Sequence, residues 1–205
     1  MRETETVYYI NASHPDAAPQ LARRLQALMP DPRLTPLPVV LCIGTDRVTG
    51  DSLGPLVGTF LQACGSSRCL HVYGTLDTPV HALNLRQICR HIKKEHPRSL
   101  ILAVDASLGI KRHLGYVTLE KGSLHPGAGV QKTLDAIGDI SITGIIGPVH
   151  PQAQLVLQNT RLAPVTRLAC CISQGILLAM ESGPSRASGQ EHQFSRVCSP
   201  DCSAL

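Results

Sequence analysis

Asp51 lies in the Gly-rich stretch Gly44 to Pro55 that follows the apolar run Leu37 to Ile43, and Asp105 comes directly after the run Leu100 to Val104. Each run is short, aliphatic and β-branched enough to be a strand buried on both faces. In open α/β sheets the ligand crevice lies beyond the carboxyl ends of such strands. If the two strands are neighbours, the carboxylates share that crevice, and like charges ~4 Å apart repel by ~4 kcal/mol at an effective dielectric of about 20. One of them then tends to hold a proton, which makes an acid and a base from identical side chains and suits attack of water on an amide. The same geometry suits a divalent cation that activates water, and the spacing does not separate the two routes. Asp51 alone also fits a helix N-cap, whereas a charge so close to the sheet at Asp105 needs a reason.

Other residues fall beside the pair. Asp46 and Arg47 follow Gly44 and suit either substrate contact or a turn. Asp77, before Thr78 and Pro79, is placed to line the same edge, and Asp-Thr-Pro is also a natural helix entrance. His125 lies in a Pro/Gly turn, where it could orient a substrate carbonyl or stand exposed. Gly127 and Gly129 could bare backbone amides to an oxyanion or merely permit the turn. Gly50 to Leu53 also spells the motif of GDSL esterases, with Ser52 as nucleophile. That chemistry needs a late Asp-x-x-His to supply base and orienter, and the chain contains none.

These residues must be positioned by elements that the hydrophobic pattern outlines. A helix is expected from Asp16 to Met29, with Leu21, Leu25 and Leu28 on one face, and Pro30 to Pro38 then interrupt the chain. A helix from Leu53 to Cys64, a strand from Cys69 to Tyr73 and a helix from Pro79 to Lys94, striped by Leu83, Ile88 and Ile92, give a βαβ rhythm. Gly115 to Leu119 alternates like a half-exposed strand. A helix over Val130 to Ala136, a strand over Ile140 to Ile146 and helices over Gln152 to Gln158 and Pro164 to Met180 complete the core. Strands alternating with helices imply a mostly parallel sheet with helices on both faces. The expected division is an N-terminal helix and Pro-rich lead-in over residues 1–36, an α/β domain over 37–181 and a Ser/Gly/Pro-rich flexible tail over 182–205.

At 205 residues the chain suits one core, and with 3% aromatic residues and no Trp that core must be aliphatic. The net charge of +4 is dispersed apart from small groups such as Arg90 to Lys94, and few aromatics are available to stack bases, so no nucleic-acid partner is expected. The start of the chain carries acids and no long apolar run, unlike a secretory signal, and the apolar stretch Leu168 to Met180 is shorter than a bilayer span. A cytoplasmic protein without a membrane partner is expected, and a homo-oligomer is left open. The eight cysteines then read as mostly free thiols. Cys64 and Cys69, and Cys198 and Cys202, lack the partner pair of a metal site.

The order of several motifs carries a resemblance. Thr49 to Pro55, Val104-Asp105-Ala106 and His125 to Val130 occur as in the germination protease of bacterial spores. With Cys42 to Arg47, Gly74 to Val80 and Gly138 to Gly144 added, the chain resembles still more closely the YyaC family of sporulation proteins, over roughly Pro38 to Met180. The resemblance implies a three-layer αβα, phosphorylase/hydrolase-like fold shared with hydrogenase maturation proteases. It also implies an atypical aspartic peptidase acting on small acid-soluble spore proteins in the sporulating cell or spore core. Its essential aspartates fall on Asp51 and Asp105. The hydrogenase-maturation relatives add a metal held by those two positions and a later His; here Gly129 stands at that position, with His125 four residues before it, so no metal or other cofactor is expected. The competing reading of another class is a non-catalytic sporulation scaffold on the same fold.

Overall fold

Val39 to Cys42 holds four apolar residues in a row, all fully buried, as a strand sandwiched between two layers requires. In a computed structural model, which describes residues 6–31, 35–66, 69–126 and 136–181, this run is β2 of a six-stranded sheet. The others are β1 (Tyr8–Asn11), β3 (His71–Tyr73), β4 (Ile101–Gly109), β5 (Tyr116–Lys121) and β6 (Ile140–Pro148), in the spatial order β1-β5-β6-β4-β2-β3. β6, β4, β2 and β3 run parallel, and β5 is antiparallel to both β6 and β1.

Among the described residues five helices cover the sheet: α1 (Ala17–Leu28), α2 (Leu53–Ala63), α3 (Leu85–Glu95), α4 (Ala153–Gln158) and α5 (Leu162–Glu181). Leu21 and Leu25 of α1, Leu53, Val57 and Leu61 of α2, and Leu168, Ile172 and Ile176 of α5 share one core with Val40, Leu102 and Ile142 of the sheet. Leu85 and Ile92 of α3 pack on the opposite face with Val39, Leu41 and Ala103. The result is a three-layer αβα fold around a mixed sheet. Each fully buried Leu or Ile contributes roughly 1.5–3 kcal/mol.

Several expectations are corrected. The first 36 residues do more than supply a helix and lead-in, because β1 forms one edge of the sheet and Ile10 is buried in the main core. The segment before α3 is not helical from Pro79: Val80 bridges Ile43, and Asn84 ties back to the Pro79 carbonyl and the His81 amide at 3.0 and 2.8 Å, so the helix starts at Leu85 and leaves Leu83 87% exposed. β4 runs on through Asp105 to Gly109. α5 spans 20 residues and is long and apolar enough to cross a membrane, with a mean hydropathy of 1.5, but it packs between α1 and α2 as a core helix. Cys42, Cys64, Cys69, Cys89, Cys170 and Cys171 are not joined in disulfides. The helix expected over Val130 to Ala136, the Cys198 and Cys202 pair and the 182–205 tail lie outside the described residues.

Candidate active site

β2 ends before its neighbour does. Cys42 is its last residue paired with β4, opposite Val104, and the Ile43 amide still donates to the Val104 carbonyl at 2.7 Å before the chain turns away. Gly44 makes the turn at φ +142°, where no side chain is tolerated, and its amide donates to the Val80 carbonyl at 2.8 Å. Thr45 then donates to the Asp51 carbonyl at 3.0 Å, closing a short loop whose tip is Asp46 and Arg47. A 3₁₀ turn, Thr49–Ser52, runs straight into α2.

Glycines let this helical segment sit on the ends of the strands. A Cβ at Gly54 would strike the backbone of Ile43, one at Gly58 the carbonyl of Gly74, and one at Gly44 the carbonyl of Asp51. Gly50 in turn lies against the backbone of Leu157 in α4. Asp51 is thus held between β2, α2 and α4. Burial pushes its carboxyl up to about 6, with a backbone hydrogen bond from Thr45 opposing the rise. Repulsion from a second carboxylate is not the cause, although the direction is the one expected of a paired site.

Asp105 is the first residue of β4 beyond its pairing with β2. It is only 7% exposed and accepts the Ala106 amide at 2.7 Å through Oδ1. The two aspartates therefore meet the condition set by the sequence: their strands are adjacent and parallel, and both residues lie at the edge where β2 stops and β4 continues. Asp77 is in the turn after β3, at the same edge, exposed and flanked by the Thr75–Thr78 bonds at 3.0 to 3.2 Å. Asp46 is exposed, and beside it the Arg47 amide donates to Thr45 Oγ1 at 3.3 Å, which is a turn interaction. His125 is exposed and follows Leu124, whose bridge to Ile137 lies before β6 begins, so it leaves the sheet at the opposite end from the aspartates. Gly127 and Gly129 lie outside the described residues. Ser52 is buried at 5% exposure, and its hydroxyl donates to the Thr49 carbonyl at 2.7 Å, a helix-turn role and not that of an exposed nucleophile.

Residues 9–175 match a family model described as a protein of unknown function, DUF1256. The chain belongs to the DUF1256 family. It is 43% identical over 170 residues to the uncharacterized protein YyaC of Bacillus subtilis (strain 168), an alignment covering 83% of this chain and 82% of that protein. Among solved structures it is similar to the [NiFe] hydrogenase maturation protease HycI from Thermococcus kodakarensis KOD1, with 15% identity and a TM-score of 0.45, covering 75% of this chain and 99% of that one.

The span shared with the DUF1256 family includes both aspartates and a set of hydroxyls that inspection of the sequence missed. Thr143 of β6 is the register partner of Asp105, and Thr143 Oγ1 bonds Ser107 Oγ at 2.9 Å and Thr118 Oγ1 at 2.7 Å. Alternation over Gly115 to Leu119 marked β5 as a strand, but its register against β6 has no local signal. Among the described residues no three His, Cys, Asp or Glu side chains group closely enough to hold a metal ion. A cavity of about 600 Å³ lies elsewhere, between α3 and the sheet, lined by Leu41, Ile101, Ile137, Arg86, Arg90 and Lys93. It contains neither aspartate.

Proposed function

We propose that this protein is a sporulation-associated peptidase in which Asp51 and Asp105 together hydrolyse a peptide bond. The observation that carries the reading is the placing of two aspartates, supplied by different elements, at the edge of the sheet where β2 ends, with burial raising the Asp51 carboxyl to about 6. A buried carboxyl that keeps its proton beside a second carboxylate is the arrangement that divides acid and base roles between like residues. Asp105 takes a proton from water as its oxygen attacks the carbonyl carbon. Asp51 gives its proton to the nitrogen as the C–N bond breaks, leaving a carboxylic acid and an amine.

The proposed substrates are proteins of the spore, small acid-soluble proteins among them, and the proposed site of action is the cytoplasm of the sporulating cell or the spore core. Both rest on the motif order of Thr49 to Pro55, Val104 to Ala106 and His125 to Val130. The test is mass-spectrometric detection of new peptide termini after incubation with spore-core proteins, alongside the Asp51→Asn/Asp105→Asn double variant and a chelator. New termini made only by the unmodified protein, insensitive to chelator and declining above about pH 6 as Asp51 loses its proton, are expected. Equal termini from the double variant would remove the paired-carboxylate mechanism.

A further inference from the structure

Strand register places four residues in one straight line across the sheet. Asp105 of β4 is opposite Thr143 of β6, Thr143 is opposite Thr118 of β5, and Thr118 is opposite Tyr9 of β1. Directly opposed residues in a ladder point to the same face. Asp105 alternates with Val104, which belongs to the core under α1, α2 and α5, so the line lies on the other face. Its members emerge progressively: Asp105 is 7% exposed, Thr143 and Thr118 are half-buried and Tyr9 is 50% exposed. Neither core cluster includes Thr143, Thr118 or Tyr9. The far end is aromatic, with the Tyr9 ring 4.4 Å from that of His113 and His113 5.4 Å from Tyr116, centroid to centroid. Three strand spacings of ~4.8 Å make the line ~14 Å long, the span of about four extended residues at ~3.4 Å each.

We propose that this line is the binding surface for an extended polypeptide, with the bond to be cleaved at Asp105 and an apolar or aromatic side chain, about four positions away, held against Tyr9 and His113. The inference rests on the peptidase reading for the identity of the cleaved bond. Hydroxyls both donate and accept, so Thr143, Thr118 and Ser107 can meet the alternating N–H and C=O groups of a peptide backbone whatever its sequence. The tyrosine at the exposed end supplies a large, stiff apolar face with a polar tip, the kind of side chain that anchors bound peptides. Continuity with Asp105 is what selects a polypeptide substrate as the occupant.

The test uses the full chain in two arms. In the first, the isotope-labelled Asp51→Asn/Asp105→Asn variant is titrated with reduced, carboxymethylated lactalbumin as an unfolded polypeptide and followed by amide chemical shifts. In the second, the unmodified protein digests a random peptide library and the new termini are sequenced. Expected are shifts at Thr143, Thr118 and Tyr9, and an enrichment of apolar or aromatic residues about four positions from the cut. Tyr9→Ala, at an exposed position, should weaken binding by about fivefold or more and erase the enrichment, while Tyr9→Phe retains both. Shifts along the line without any cleavage would uphold the surface and overturn the peptidase reading alone. Cleavage with no positional preference and no shifts on the line would overturn the surface and leave the peptidase. Neither shifts nor cleavage would overturn both.

Discussion

Asp51 is pulled in opposite directions by its surroundings. It opens a helical segment, where the macrodipole favours an anion, yet burial lifts its carboxyl from 3.8 to about 6. Burial wins because Gly44 brings its backbone against the Asp51 carbonyl and Gly50 seats the turn against Leu157 of α4, so the carboxyl is partly withdrawn from water. Between those two pH values the folded chain holds a proton that the unfolded chain has released, so stability falls as pH rises from about 4 through 6. Asp51→Asn should abolish that loss. At pH 7 the variant is expected to be about 1–2 kcal/mol more stable, with a melting temperature a few degrees higher, and the difference should vanish by pH 4. Thermal melts at the two pH values measure this, and equal melting temperatures at pH 7 would mean that the carboxylate is solvated in the fold. The position of Asp51 and Asp105 after apolar runs was legible from their neighbours in the chain. The cause of the raised pKa was not, because it depends on what α2 and α4 bury.

Packing of α2 onto the strand ends is the element-scale device that makes the site. Gly58 lies in the middle of the helix, where Ala would ordinarily be favoured by about 1 kcal/mol. Here a Cβ would meet the Gly74 carbonyl, and Gly74 itself, at φ +91°, is pressed onto the Cys42 carbonyl. Backbone cannot give way as a side-chain tip can, so the contact should outweigh the propensity. Gly58→Ala is expected to cost about 2 kcal/mol or more in urea denaturation, and a gain in stability would show that α2 rides higher than described. α2 and α5 were readable because their apolar residues recur at helical spacing. The start of α3 was misread because Leu83, Ile88 and Ile92 mimic that spacing, whereas the Val80–Ile43 bridge and the Asn84 bonds hold residues 80–84 out of helix.

For the whole molecule, the N-terminal segment is part of the folding unit. Leu21 is fully buried, and its side chain fills the space beside Gly175 of α5, where a Cβ would collide with it. Leu21→Ala should therefore cost about 2–5 kcal/mol by chemical denaturation. A loss below about 1 kcal/mol would mark α1 as a detachable lead-in instead. Tyr8 to Asn11 is too brief for alternation to stand out, so the edge strand was invisible without its partner β5. By itself the sequence determined the alternation of aliphatic strands with amphipathic helices and the placing of Asp51 and Asp105 after two apolar runs, since both are written in neighbouring residues. Only the tertiary structure decided that the strands are adjacent, that partial burial raises the Asp51 carboxyl, and that Asp105, Thr143, Thr118 and Tyr9 align, because strand order and register come from packing between segments distant along the chain.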